Sequence, residues 1–308
     1  MVPTAPVLWL VWLSILKTTI VKNLRVKKVM PETLIRKKLS RPAWLKIKLD
    51  TSDDFMSTRK LMRSQGLNTV CEEARCPNIY DCWNRQTATI MILGDTCTRS
   101  CGFCSVKTGR PSIMDTDEPR RTAEAVKSMQ LRHVVITSVD RDDLKDDYGA
   151  KIWAETIYQI KEYSPECTIE VLTPDFRNYR SAYEMVFRSQ PNIFSHNIEC
   201  VERISRQVRS QSDWKRSASV LKASVEWGLK TKTGMMVGLG ENDNEVLQTM
   251  QDMANLGITI FNIGQYLQPT IKHLPVDRYV AGHEFEDYKR IGLKLGFRVV
   301  ESGPLVRS

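Results

Sequence analysis

"TATIMILGDTCTRSCGFC" occupies residues 87–104. Its first seven residues, 87–93, are β-branched or apolar in the main and end at Gly94-Asp95, the mark of a buried strand closed by a turn. Three cysteines follow at once, Cys97, Cys101 and Cys104, in the spacing C-x3-C-x2-C. Five further runs of strand character lie downstream: "HVVITS" (133–138), "TIEVLT" (168–173), "NIFSHNIE" (192–199), "KTGMMVG" (232–238) and "ITIFNIG" (258–264). Helical periodicity fills the gaps near 116–129, 148–163, 178–188, 213–228 and 242–256, and again at 284–296. Six βα alternations argue for an α/β fold, a parallel sheet covered by helices. A partial or complete βα barrel fits better than a doubly wound sheet, because no Gly-rich phosphate loop follows the first strand. "GLGEND" (238–243) comes after the fifth strand and lacks the G-x-G-x-x-G spacing. In a parallel barrel, chemistry takes place at the C-terminal ends of the strands, so the cysteine loop is expected at the mouth of the site.

A second cysteine triplet precedes the first strand. "CEEARCPNIYDCW" (71–83) places Cys71, Cys76 and Cys82 in the spacing C-x4-C-x5-C. Six of the eight cysteines thus fall within residues 71–104, and Cys167 and Cys200 stand apart as small buried hydrophobes. Clustering in a chain of this size favours metal ligation in a reducing compartment over a secreted disulfide framework. Structural zinc takes four protein ligands, often as two paired-Cys knuckles, and neither triplet has a fourth. Closely spaced loop cysteines suit iron–sulfur clusters, and three thiolates on a four-iron cube leave one iron open to a small chelating molecule. A single six-cysteine zinc cluster and a pair of redox disulfides are the alternatives.

The formal charge of +9 is not spread over the chain. Residues 1–50 carry eleven Lys/Arg and two acids (11 − 2 = +9), and the remaining 258 carry 34 basic and 34 acidic groups. The positive field belongs to an N-terminal arm, and nucleic-acid binding is not expected. "APVLWLVWLSIL" (5–16) is too short to span a bilayer of about 30 Å, so no stable membrane insertion is expected. Its flanks make a poor secretory signal, and the basic stretch 17–28 is only weakly like a transit peptide. A start at Met30 is an equally economical reading. No repeat of 20–50 residues is present.

C-x3-C-x2-C with Phe103 before its last cysteine resembles the signature of radical S-adenosylmethionine (SAM) enzymes, and the preceding C-x4-C-x5-C is similar to the auxiliary-cluster motif of the lipoyl synthase family. The resemblance extends through "RPAWLK" (41–46), "NIYDCW" (78–83), "MILGDTCTRSCGFCSVKTGRP" (91–111) and "TSVDRDDL" (137–144). It continues through "EVLTPDF" (170–176), "HNIE" (196–199), "TKTGMMVGLGE" (231–241), "IGQYLQPT" (263–270), "HLPVDRYV" (273–280) and "GPLVRS" (303–308), covering roughly residues 38–308.

The resemblance implies two [4Fe-4S] clusters and SAM. Cys97, Cys101 and Cys104 would hold the cluster that chelates SAM, whose reductive cleavage yields a 5′-deoxyadenosyl radical. That radical would take hydrogen from carbons six and eight of an octanoyl chain, and the cluster on Cys71, Cys76 and Cys82 would be consumed as the sulfur donor. Implied partners are octanoylated lipoyl-carrier domains of 2-oxoacid dehydrogenase acyltransferases and of the glycine cleavage carrier, an electron donor such as flavodoxin or ferredoxin, and an iron–sulfur carrier. The residues themselves agree with radical chemistry: no Ser-His-Asp set is present, and none of His133, His196, His273 and His283 is asked to be a base. Ser138, Asp140, Asn197, Glu199 and Glu241 stand near strand ends and are expected to bind SAM. Gln265 and Tyr266 are expected to border the substrate channel, and His273 to serve structure or docking. Cytoplasm is the expected compartment, with a mitochondrion or plastid only if residues 1–30 are a transit peptide. Other readings are a different radical SAM enzyme with an auxiliary cluster, or a non-catalytic iron–sulfur or zinc module.

Two departures accompany the resemblance. "DLKDDYGA" (143–150) stands where the family reads D-L-x-D-G-G-A, placing Asp147 and Tyr148 near glycine positions. The family's R-S-S-Y motif supplies a serine as the auxiliary cluster's fourth ligand, and Ser308 is the one serine of that motif present. The expected organisation is an arm (1–37), an auxiliary-cluster segment (38–86), a radical SAM partial (βα)6 barrel (87–300) and a C-terminal segment (301–308) returning to the auxiliary cluster. Ser308 as ligand, a truncated sequence, or an open fourth position are the three readings of that end.

Overall fold

The computed structural model describes residues 39–45, 53–64, 66–73, 76, 78–84, 87–112 and 114–307. Expectations for the 1–37 arm, Met30 and Ser308 lie outside the described residues. Lys38–Ser308 forms one compact unit.

An entry helix α1 (Asp53–Ser64) leads through the short strand β1 (Asn68–Thr69) to the short helices α2 (Val70–Glu73) and α3 (Ile79–Asn84). The six expected strands follow as β2 (Ala88–Ile92), β5 (His133–Ser138), β6 (Thr168–Leu172), β7 (Ile193–Ser195), β8 (Thr231–Val237) and β9 (Ile260–Gln265), with a minor parallel pair β3 (Thr96–Cys97) and β4 (Lys107–Thr108) inside the cysteine loop. Between and after them lie α4 (Glu118–Ser128), α5 (Ala150–Tyr163), α6 (Arg180–Arg188), a short α7 (Ser205–Val208), α8 (Trp214–Glu226), α9 (Asp243–Asn255) and α10 (Gly282–Leu295). A seventh parallel strand, β10 (Val299–Gly303), ends the sheet and runs across the expected 300/301 boundary. The sheet order is β1-β2-β5-β6-β7-β8-β9-β10, antiparallel at β1 and parallel elsewhere. β1 and β10 are its two edges, so it is an open, partial barrel. The inner strands β2 and β5–β9 are largely buried on both faces, as helix-covered parallel strands are, and for that reason they read as nearly continuous apolar runs.

One apolar core lies beneath β2, β5 and β6, centred on Ile90, Ile136, Trp153 and Phe187, and a second beneath β8–β10, centred on Met250, Phe261 and Phe285. "NIFSHNIE" does not stay a strand to its end. The ladder stops at Ser195, the Thr233 hydroxyl bonds the His196 carbonyl and the Ile198 amide, and Glu199 takes φ +68° and bridges to Met235 of β8. Asp147 makes good the loss of a glycine in "DDYGA": its carboxylate accepts the Gly149 and Lys151 amides at 2.9 and 3.0 Å, capping α5. Tyr148 is held at φ +53° with its ring edge-on to Tyr179, 5.9 Å between centroids.

Two turns aim the strand ends. Leu93 (φ +68°) and Gly94 reverse the chain out of β2, and the buried Glu118 carboxylate accepts the Leu93 amide at 2.6 Å. After β6, three consecutive residues, Phe176, Arg177 and Asn178, adopt left-handed φ of +44°, +53° and +60°. For non-glycine residues such a turn costs on the order of 1 kcal/mol each, and it persists only where the surroundings enforce it.

The C-terminal residues 303–307 lie between the auxiliary segment and β9. Asn78 Nδ2 donates to the Leu305 carbonyl at 2.6 Å and Asn262 Nδ2 to the Arg307 carbonyl at 3.2 Å. Gly264 makes this approach possible, since a Cβ there would overlap the Val306 carbonyl. Gly264→Ala is therefore expected to lift residues 303–307 from β9 and to cost about 2 kcal/mol by overpacking. Hydrogen exchange across 303–307 and a chemical denaturation midpoint check both effects.

Candidate active site

The sequence of turns brings three cysteines to the strand ends. Cys97, Cys101 and Cys104 line a cavity of about 280 Å³ together with Arg99, Ser138, Asp140, Asp175, His196, Asn197, Glu199 and Arg209. A second cavity of about 520 Å³ is walled by Cys71 and Cys76, by Arg41 and Arg307, and by Met235, Met236, Gln265 and Tyr266. The two cavities share Phe103, Thr137, Leu172, Asn197 and Glu199, so they are adjoining chambers of one site. Cys82 does not line the chamber but packs with Cys71 and Trp83, and Cys76 and Cys82 are both close enough to push the Cys71 thiol up electrostatically. All eight cysteines are free.

Burial raises the thiols. It pushes Cys71 and Cys97 up to about 11, and it raises Cys101 and Cys104 as well, with the Asp140 carboxylate adding to the effect at Cys97, Cys101 and Cys104. In the metal-free protein these groups are therefore neutral thiols, and ligation must displace their protons. The donor set fits a cluster bound by one thiolate per iron. Among the described residues no three His, Cys, Asp or Glu side chains are gathered tightly enough for a single metal ion. The cavity beside Cys97, Cys101 and Cys104 also suits a polar ligand: His196 Nε2 and Arg209 Nε are buried there without a hydrogen-bond partner.

The residues anticipated for SAM divide. Asp140 stands beside the cluster loop, its amide donating to Cys97 Sγ at 3.3 Å and its carboxylate 3.2 Å from Arg99 Nη1; burial lifts that carboxyl to about 6 although Arg99 opposes it. Ser138 lines the cavity with its hydroxyl donating to the Val139 carbonyl at 2.8 Å. Asn197 and Glu199 face both chambers and bond to each other, and burial raises the Glu199 carboxyl while Arg209 works against the rise. Glu241 is elsewhere. Its carboxylate accepts the Gly238 and Leu239 amides and shapes the "GLGE" turn, and it borders neither chamber. Gln265 and Tyr266 do border the larger chamber, but their polar atoms hold the loop that follows β9: Gln265 Nε2 donates to the Arg278 carbonyl at 3.1 Å and Tyr266 Oη to the Leu274 carbonyl at 2.7 Å. His273 is structural, with Nε2 3.0 Å from the Cys104 carbonyl and Nδ1 2.8 Å from Thr270 Oγ1.

Reading by motif missed the cations. Arg209 is 5% exposed, lines the smaller cavity and donates to the Asn197 carbonyl at 3.1 Å and to Ser217 Oγ at 2.7 Å. Nothing in "RQVRSQSDW" marks it, because its partners lie on other segments or one helix away. Arg99 was in view inside "CTRSC", but its partners were not.

An open, largely parallel partial barrel with C-x3-C-x2-C at the exit of its first parallel strand is the architecture of a radical SAM protein. The Radical SAM superfamily profile matches residues 91–253, and the N-terminal domain of lipoyl synthase of that family matches residues 18–76, reaching back beyond residue 38. Lipoyl synthase from Rubrobacter xylanophilus is 51% identical over 286 residues, covering 92% of this chain and 89% of the relative. Mitochondrial lipoyl synthase from Nematostella vectensis is 49% identical, covering 87% and 92%. Among solved structures, Streptococcus suis SuiB bound to S-adenosylmethionine shares the fold with a TM-score of 0.54 at 13% identity, covering 81% of this chain and 61% of that one. Methylornithine synthase (PylB) does so at a TM-score of 0.52 and 13% identity, covering 82% and 83%. The chain belongs to the lipoyl synthase family, and with membership come a [4Fe-4S] cluster and SAM.

His196 supplies a pH prediction. Burial, with Arg209 adding to it, holds the imidazole down at about 4 against an ordinary 6.5, while its Nδ1 stays 2.8 Å from the Thr173 carbonyl. A base with a depressed folded pKa leaves stability intact above its unfolded value. That stability is lost as pH falls from 6.5 towards 4, by about 2 kcal/mol at pH 5. In the metal-free protein, denaturant titrations at pH 8 and pH 5 should show this loss, and His196→Gln should reduce it.

Proposed function

We propose that this chain inserts two sulfur atoms, at carbons 6 and 8, into an octanoyl chain carried on a lysine of a lipoyl-carrier domain, giving the lipoyl cofactor. The observation that carries this reading is the pair of adjoining chambers, with one cysteine triplet beside each, Phe103 and Leu172 where the two join, and Met235 and Met236 lining the larger one. Cys97, Cys101 and Cys104 hold the SAM-activating cluster. Cys71, Cys76 and Cys82 hold an auxiliary [4Fe-4S] cluster, with Ser308 as its fourth ligand. Ser308 lies outside the described residues, and its support is that Arg307, the residue before it, lines the chamber with Cys71 and Cys76. When bound, the clusters and SAM supply a radical able to take hydrogen from an unactivated carbon, and the sulfur that replaces it.

The chain's own residues bind and enclose. Asp140, Ser138, Asn197 and Glu199 present acceptors to the amino and hydroxyl groups of SAM, and the buried Arg209 guanidinium offers its charge to the carboxylate. Phe103, Leu172 and the two methionines line the path of an eight-carbon chain, keep water from it and lay it between the two cysteine sets. No side chain is required as a base toward the alkane. An electron donor of the flavodoxin or ferredoxin type and an iron–sulfur carrier complete the proposed partners. We place the chain in the cytoplasm, a reducing compartment that suits eight free cysteines. Among the described residues no helix is long and apolar enough to cross a membrane.

Anaerobic reconstitution should load about eight irons per chain. With SAM, a reductant and an octanoylated carrier domain, the carrier should gain the mass of two sulfurs. Cys71→Ala should drop the load to about four irons, keep SAM cleavage and abolish sulfur transfer. Zinc, or about four irons in the unaltered chain, would sink the two-cluster reading.

A further inference from the structure

Arg99 is the second residue between Cys97 and Cys101, and it is 4% exposed. Its guanidinium meets three carboxylates. Nε and Nη2 form a two-point pair with Asp142, both at 2.8 Å, Nη2 reaches Asp175 at 2.7 Å, and Nη1 lies 3.2 Å from Asp140. Nη1 also donates to Ser212 Oγ at 3.2 Å. Two more cations balance the acids: Arg177 Nη2 is 2.8 Å from Asp142, and Arg216 Nε is 3.5 Å from Asp175. The three acids come from the loops after β5 and β6.

The same contacts reach a cluster ligand. Cys97 Sγ accepts two amide hydrogens, one from Arg99 at 3.4 Å and one from Asp140 at 3.3 Å. These amides belong to the two residues joined by the ion pair. Thr98 closes the seam, its amide and hydroxyl donating to the Asp140 carbonyl at 3.0 and 2.9 Å. Amide hydrogen bonds to ligand sulfur and nearby net charge are the means by which a protein sets a cluster's potential.

The left-handed turn at Phe176–Asn178 belongs to this arrangement. Asp175 Oδ1 accepts the Arg177 amide at 3.0 Å while it pairs with Arg99, and Arg177 leaves the turn directed at Asp142. Three adjacent non-glycine residues at positive φ are strained, and such strain gathers where a site over-determines its backbone.

We propose that Arg99 is the positioning residue of the Cys97–Cys104 loop, fixing the ligand geometry and local charge of the SAM-binding cluster through Asp140, Asp142 and Asp175, and that the strained turn at 176–178 exists to deliver Asp175 and Arg177 to it. This rests on the assignment of Cys97, Cys101 and Cys104 to that cluster. A guanidinium is required, since an ammonium cannot hold a two-point pair and two further carboxylates in one plane. Loss of Arg99 leaves an excess of negative charge beside Cys97, and loss of Asp175 leaves an excess of positive charge.

The test uses full-length, anaerobically reconstituted enzyme and follows the EPR signal that SAM perturbs. In the unaltered chain that signal must be present, and its absence would remove the cluster assignment itself. Arg99→Gln is expected to move the midpoint potential of that cluster to more negative values and to raise the KM for SAM about tenfold or more. Asp175→Asn is expected to move the potential in the opposite direction. Arg99→Lys should recover the potential better than the KM. If Arg99→Gln does not load iron, the sign of the Asp175→Asn shift decides. Unchanged potential and KM in a loaded Arg99→Gln enzyme, or shifts of one sign in both variants, would overturn the proposal and leave Arg99 a structural ion pair.

Discussion

Three thiols must face one side of a cavity, and the eight-residue loop that carries them has few internal bonds to keep them there. Within it, Cys104 N bonds the Cys101 carbonyl, and Gly109 just beyond bonds the Cys97 carbonyl. The rest of its support comes from outside. Asp140 and Thr98 fasten its start, Gly102 is bonded to Val208 and Leu274, and His273 reaches the Cys104 carbonyl. Arg99 lies at the centre of these contacts. A buried charge needs its partners: removal of one side of such a pair costs about 3–5 kcal/mol. The loop therefore cannot relax without exposing or orphaning several carboxylates together, and the mouth of the barrel is shaped by that requirement.

The second constraint is distance along the chain. Part of the wall of the larger chamber comes from the auxiliary segment before the barrel and part from residues 306 and 307 at its end. The two meet because Gly264 has no side chain where Val306 crosses β9, and because Asn78 and Asn262 take up the carbonyls of the crossing segment. Arg41 and Arg307 bring positive charge to the chamber of Cys71 and Cys76, which suits thiolates and the anionic cluster we propose there. Where the chambers join, the apolar Phe103 and Leu172 stand beside the polar Thr137, Asn197 and Glu199, and Met235 and Met236 add apolar surface on the larger side, which suits an alkyl chain.

Most of the scaffold was legible in residue patterns. All six expected strands and the helices between them are present, because parallel strands buried on both faces give continuous apolar runs and the covering helices give a regular period. β1 escaped notice because two residues carry no pattern, and the seventh parallel strand because "VVESG" has an exposed, polar-interrupted edge. The Ser195 end of β7 was overrun for a related cause: "HNIE" keeps strand composition, but its backbone turns left-handed at Glu199 to face the cavity. Glu241 follows the end of β8, but its side chain closes its own turn and borders neither chamber, a local bond that residue pattern does not reveal.

By itself the sequence determined which atoms can bind iron, their spacing, the order of strands and helices, and through these the family. Such information is local or periodic, and a thiol remains a thiol in any fold. Tertiary structure alone decided which charges surround those thiols. Arg99 finds Asp142 43 residues away, Asp175 76 away and Ser212 113 away. No spacing rule links such positions. They become neighbours because successive parallel strands all end at one rim, so that each crossover returns a distant loop to the same few ångströms of space.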